Sequence, residues 1–264
     1  MKFVKNIVPA LLLVIGLGIL AYPGVSDYVN RNHQSYALEE LSARLWDSSE
    51  EDLDRQRELA EQYNKTLAQG EEAEGYEAIL NFGNGVMGAV EIPGIRVNLP
   101  IYHGISEEVL AKGVGHMPSS ALPIGGEGNH TVLTGHTGLP SARLFTDLTK
   151  MKQGDLFYLR VLGETLTYRV DQVKVVLPTD GSELEPETGE DYCTLLTCTP
   201  YGVNSHRLLV RGVRTEPEAA EVLVQMDTPD RTSGWDWVAL ISGSIFLVSI
   251  GLLIWLFWRR KRKK

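Results

Sequence analysis

The sequence predicts a mainly β domain, a small barrel or closed sheet, set on a helical arm and flanked by two apolar spans. Three observations carry this. Short β-rich runs follow one another after Val86, punctuated by Gly, Pro and Asn. Residues 28–69 hold neither proline nor glycine and repeat leucines at helical spacing. Apolar stretches stand at both ends of the 264-residue chain, each with basic residues on its outer side.

The first apolar stretch, residues 7–22, follows Lys2 and Lys5. It is short for a spanning helix and has the length of a signal-peptide core. Tyr22 and Pro23 interrupt a small-x-small cleavage site, so an uncleaved anchor is favoured over a removed signal. Residues 235–258 form the second stretch, long enough to cross roughly 30 Å of hydrocarbon. Trp235, Trp237, Trp255 and Trp258 stand at its ends, as interfacial aromatics do. Residues 259–264 are all basic. Positive charge stays cytoplasmic, so both termini are expected inside the cell membrane and residues 23–234 outside.

That outer part holds 17 basic and 33 acidic residues, a formal charge of −16. Such a surface excludes nucleic acid as a partner and suits meeting lysine-rich ones. The histidines and cysteines lack metal-ligand spacing, and no phosphate-binding glycine loop occurs, so no cofactor or metal is expected.

Leu38, Leu41 and Leu45, then Leu59, Tyr63 and Leu67, predict one or two amphipathic helices. They split near Asp47-Ser48-Ser49 and stop at Gly70. The helices either carry the domain away from the membrane or pack on its side. Strands are predicted at 87–92, 97–102, 131–134, 155–161, 165–177, 192–198 and 207–213. Short helices are predicted at 106–112 and 141–149. Seven short strands, close in sequence, make a barrel of about 130 residues. The resulting domains are an anchor or signal segment (1–22), a helical arm (23–75), the barrel (76–214), an acidic linker (215–234), the second span (235–258) and a basic tail (259–264).

Two cysteines occur, Cys193 and Cys198. On one strand they would stand about 16 Å apart, beyond the ~7 Å Cα limit of a disulfide. A free thiol outside a cell therefore needs a reason. Cys198 ends the run Thr194-Leu195-Leu196-Thr197-Cys198, followed at once by turn residues. A free cysteine is ordinarily a small buried hydrophobe. A thiol at the end of a barrel strand can instead face a cleft and react. Arg207 opens the next strand, where its guanidinium could serve a thiolate or an oxyanion. Among six histidines, His136 stands apart, because it ends an apolar strand and has Gly135 and Gly138 around it. His103, His116 and His130 are read as loop residues, His33 lies in the helical arm, and the His206 side chain should point away from that of Arg207. A structural histidine remains the alternative for any one of them.

Together these residues resemble the sortase family. Thr197-Cys198, then Thr199-Pro200-Tyr201-Gly202, with Arg207 nine residues after the cysteine, is similar to the sortase signature. Thr134-Gly135-His136 is similar to the family's histidine motif. Gly88-Ala89-Val90-Glu91-Ile92-Pro93, Leu99-Pro100-Ile101-Tyr102-His103-Gly104, Gly138-Leu139-Pro140-Ser141-Ala142-Arg143-Leu144-Phe145 and the run from Val203 to Gly212 resemble the pilin-polymerising class C branch. The resemblance covers residues 76–214.

It implies an eight-stranded β-barrel, with Cys198 as nucleophile, His136 as general acid and base, and Arg207 as stabiliser of substrate or oxyanion. The implied substrate is a secreted pilin or surface protein with a C-terminal Leu-Pro-x-Thr-Gly-like signal, and the implied acceptor is a pilin lysine. A housekeeping-type relative that anchors proteins to peptidoglycan is the alternative within the family. A non-enzymatic scaffold would have no use for the trio. Two departures stand out. Many class C relatives carry an Asp-Pro-aromatic lid motif, and no Asp-Pro pair occurs here. Thr137 stands where many carry arginine.

Overall fold

The computed structural model describes residues 4–139, 142–216 and 243–244. These fall into two compact units: residues 4–31 with Ala142 and 243–244, and residues 32–139 with 143–216. The expected second span and basic tail lie outside the described residues, apart from Gly243 and Ser244. Helix α1 covers Val4–Asp47 and α2 covers Glu50–Ala68. Their break falls where the sequence placed it. Ser49 caps α2, its hydroxyl accepting from the Asp52 amide at 3.1 Å, and Glu50, Glu51 and Asp52 complement the helix dipole. Gly70, at φ +74°, follows the helix end.

Eight strands close into a barrel: β1 (Val86–Ile92), β2 (Val97–His103), β3 (Val114–His116), β4 (Asn129–Thr134), β5 (Leu156–Val161), β6 (Glu164–Val176), β7 (Asp191–Thr199) and β8 (His206–Arg214), in the order β1-β2-β3-β4-β7-β8-β6-β5. The residues alone gave seven strands, and β3 was the one missed. Three residues, one of them glycine, are too few to show alternation. Gly115 is required there, since a Cβ would meet the Gly104 carbonyl oxygen at 2.3 Å. Helix α3 (Glu107–Lys112) matches expectation, whereas the helix predicted at 141–149 reduces to a 3-10 turn at Thr146–Lys150. Leu144 adopts a positive φ of 37° just before it, which α-helix cannot accommodate.

His103, His116 and His130 are strand residues, not loop residues as their glycine-rich and polar settings suggested, and all three are buried. Each is tied by its ring nitrogens. His116 Nδ1 meets the Tyr76 hydroxyl at 2.9 Å, and its Nε2 donates to the Ala121 carbonyl at 2.9 Å. His103 faces the Gly85 and Ile79 carbonyls at 3.0 and 2.8 Å. The helices of the arm pack on the side of the barrel. Asn64 of α2 exchanges two hydrogen bonds with the Leu122 backbone, at 3.2 and 2.7 Å. Gln56 accepts from the Leu80 amide at 2.8 Å, and Gln34 donates to the Lys112 carbonyl at 3.0 Å. Phe157 and Tyr168 stack at 5.5 Å inside the barrel beside the buried Leu133, Leu159 and Leu195.

Candidate active site

Strand β7 holds the centre of the site. Side chains alternate along it, so Cys193, Leu195 and Thr197 point into the barrel core, where each is almost fully buried. Tyr192, Thr194, Leu196 and Cys198 take the opposite face. Cys193 is accordingly buried and Cys198 partly exposed, and both are free thiols. Burial pushes the Cys193 thiol well above its ordinary range.

Two neighbouring strands bring the other predicted residues to Cys198. On one side β8 runs antiparallel, and Arg207 pairs directly with Cys198. On the other side β4 runs parallel to β7, with Thr134 opposite Leu196. The Gly135 amide continues the ladder to the Leu196 carbonyl at 3.0 Å. Two residues on from that pair stand His136 and Cys198. The register thus sets Arg207 opposite Cys198 and, continued two residues past the end of β4, brings His136 level with Cys198, a row across neighbouring strands about 5 Å apart. The trio comes from sequence separations of 62 and nine residues, and the parallel pairing closes the larger gap.

The backbone around His136 is fixed from behind. Thr197, on the core face, donates its hydroxyl to the Gly135 carbonyl at 2.7 Å. Phe145 presses on Gly135 so closely that a Cβ would lie 2.6 Å from its ring. The His136 carbonyl accepts from the Phe145 amide at 3.1 Å. After the turn, Tyr201 lies against Gly138, 3.1 Å from the position a Cβ would take. Leu139, next along, is the last described residue before 142.

His136 retains 22% side-chain exposure, and its Nε2 lies 3.2 Å from the Glu107 carboxylate at the start of α3. Arg207 donates through Nη1 to the Asn204 and His206 carbonyls at 3.3 and 3.1 Å. Among the described residues its guanidinium meets no carboxylate. Arg211 and Arg214 do: Arg211 binds Asp171 at 2.6 Å and Glu187 at 3.3 Å, and Arg214 lies 3.9 Å from Asp191. These two arginines serve structural ion pairs. Glu107 was not singled out from the sequence, and Thr197 and Tyr201 entered only as members of the signature around Cys198. Their contacts with His136, Gly135 and Gly138 join segments distant in sequence, which no local pattern marks.

Behind the row, the same face is apolar. Leu196, Leu209, Val132 and Val176 form a buried cluster, with Met117 and Leu184 packed half-exposed against it. The segment between β6 and β7 walls this patch. Glu183 of that segment binds Lys174 at 2.6 Å and Gln172 at 2.9 Å, and the Glu185 carbonyl meets His130 Nδ1 at 3.0 Å.

Known proteins resemble this chain in sequence and in fold. The family model described as the sortase domain matches residues 90–215. Sortase C1 of Streptococcus agalactiae is 43% identical, with a TM-score of 0.67, and the match covers 69% of this chain and all of that one. The chain belongs to the sortase family. A Clostridium perfringens sortase C, solved with its C-terminal cell wall sorting motif, is 43% identical at a TM-score of 0.65, covering 69% of this chain and 100% of that one. Sortase A of Bacillus anthracis is 28% identical over 214 residues, 79% of this chain and 93% of its own. The chain is a cysteine transpeptidase by family, and its structural neighbours put this sortase with the class C branch.

Proposed function

We propose that this sortase cleaves a Leu-Pro-x-Thr-Gly-like sorting signal between Thr and Gly and transfers the acyl group to a pilin lysine. The row of His136, Cys198 and Arg207 across neighbouring strands of the barrel carries the reading. The Cys198 thiolate attacks the threonine carbonyl, and the Arg207 guanidinium, with donors left over from its backbone contacts, faces the developing oxyanion. His136 gives its proton to the departing glycine amine, which leaves a thioester on Cys198. The acceptor lysine then attacks the thioester, and His136 takes up a proton in return. The apolar patch of Leu196, Leu209 and Val176, next to the row, suits the Leu-Pro end of such a signal.

The polymerising reading is preferred over wall anchoring because the solved sortase C structures reach 41–43% identity, whereas curated sortase A relatives stay at 23–30%. In our reading the helix stretch Leu11–Asp47, long and apolar enough to cross a membrane, anchors the enzyme. Leu12, Ile19 and Leu20 on it are exposed at 63%, 68% and 76%, which suits lipid better than water. Residues 235–258 would supply a second span, with both termini cytoplasmic.

The test is to incubate full-length enzyme in detergent with a pilin, and separately with a wall-precursor analogue. A ladder of covalent pilin multimers is expected, lost in Cys198→Ala and His136→Ala. Efficient transfer to the wall analogue without multimers would favour anchoring, and full activity of Cys198→Ala would refute the assignment.

A further inference from the structure

We propose that Glu107 docks the acceptor amine as its ammonium ion, beside the histidine that deprotonates it. This deepens the preceding reading and rests on it. The row carries opposite charge at its two ends. Glu107 lies beyond His136, and Arg207 lies beyond Cys198. An acyl oxygen that gains negative charge belongs at the Arg207 end. A cation would be repelled there and attracted to the other.

Glu107 suits that role by its setting. It opens α3, a helix capped by the Ser106 hydroxyl, which accepts from the Val109 amide at 3.3 Å. The carboxylate is 92% exposed, and its contact is one oxygen on His136 Nε2 at 3.2 Å. Its other lone pairs face water. Glu108, the next residue, is held by Lys112 at 2.6 Å and is less free to bind a ligand. So exposed a pair adds little to stability, and a carboxylate kept there by geometry alone is open to an incoming cation.

The chemistry needs such a site. A lysine side chain is almost wholly protonated near neutrality, yet only the free amine attacks a thioester. After the first half-reaction His136 has lost its proton to the leaving glycine amine. An ammonium held at Glu107 sits against the vacant Nε2 and passes one proton to it. The free amine forms the new C–N bond to the acyl carbon, and the C–S bond to Cys198 breaks. Sulfur leaves as thiolate, the new amide nitrogen sheds its extra proton to solvent, and thiolate and imidazolium are restored.

The experiment compares full-length wild type with Glu107→Gln in detergent, using one donor peptide bearing the sorting signal and two acceptors. One acceptor is a lysine-containing peptide, cationic near neutrality; the other is hydroxylamine, which is uncharged there. Mass spectrometry follows the thioacyl adduct on Cys198. Transfer to lysine should fall about tenfold, the size of one charge-assisted hydrogen bond. Adduct formation and transfer to hydroxylamine should change less than about twofold, and the lysine defect should shrink at high salt. Equal loss with both acceptors would make Glu107 a residue that only positions His136, and overturn docking. Unchanged lysine transfer would overturn it too. Absence of any Cys198 adduct in wild type removes the parent reading, an outcome distinct from either.

Discussion

Cys193 and Cys198 lie five residues apart on β7, and the period of two sends them to opposite faces. One sulfur is enclosed and held protonated by burial; the other stands at the end of the strand, beside Arg207. A thiol-alkylating reagent should therefore label Cys198 in the folded enzyme well before Cys193, as peptide mapping would read. Preferential labelling of Cys193 would contradict the exposure argument. Cys193→Ala should keep most transpeptidation while costing about 1 kcal/mol of stability from lost core packing. Arg207→Ala should lower turnover about a hundredfold, the loss typical of one oxyanion donor. Arg207→Lys should recover only part, because a point charge cannot reproduce a planar guanidinium whose Nη1 is engaged with the Asn204 and His206 carbonyls while its other donors stay available.

The element that decides the geometry is the parallel β4–β7 pair with its extension at Gly135. Thr197 is the clamp: its buried hydroxyl bonds the Gly135 carbonyl, one residue before His136. Thr197→Val keeps the shape but leaves that carbonyl short of a donor. It should cost about 1–3 kcal/mol and lower kcat more than KM, since the imidazole loses its backing. Gly135→Ala should be harsher, because its Cβ would collide with the Phe145 ring at 2.6 Å. Such overpacking costs about 1–3 kcal/mol, and kinetics with thermal melting would show both effects together. If Gly135→Ala melts and turns over like wild type, the packing described around His136 is wrong. The segment between β6 and β7 is tied through Glu183, Leu184 and Glu185, so the wall of the apolar patch is anchored at three successive residues.

At the scale of the molecule, buried histidines set the response to acid. Burial drives the His116 pKa from 6.5 down to about 4, and His130 shifts downward for the same reason. The folded values lie below the unfolded one. Between pH 6.5 and 4 the unfolded chain therefore binds the proton that the folded chain refuses, and stability falls as pH drops through that window. Each such histidine contributes at most about 1.4 kcal/mol per pH unit. Asp191, a buried carboxyl raised by desolvation, acts in the opposite sense. Denaturant midpoints should fall measurably from pH 7 to pH 5 and flatten in a His116→Gln variant. A midpoint independent of pH across that range in wild type would contradict the burial of neutral His116.

Local sequence determined much of this protein. Period-two runs between turn residues placed seven of eight strands, the proline-free leucine repeat predicted one or two helices with a split near Asp47-Ser48-Ser49, and strand-end position marked Cys198 and His136. These are short-range consequences of side-chain period and turn chemistry. Tertiary structure decided what depends on distant chain meeting distant chain. Three-residue β3 exists only because β2 and β4 flank it. His103, His116 and His130 became core residues because partners from other segments satisfy their rings. Glu107 reached His136 because α3 and β3 lead into the antiparallel β3–β4 pair, and Thr197 reached Gly135 through a parallel pairing that no neighbouring residue encodes, since register between strands 62 residues apart is fixed by the closure of the whole barrel.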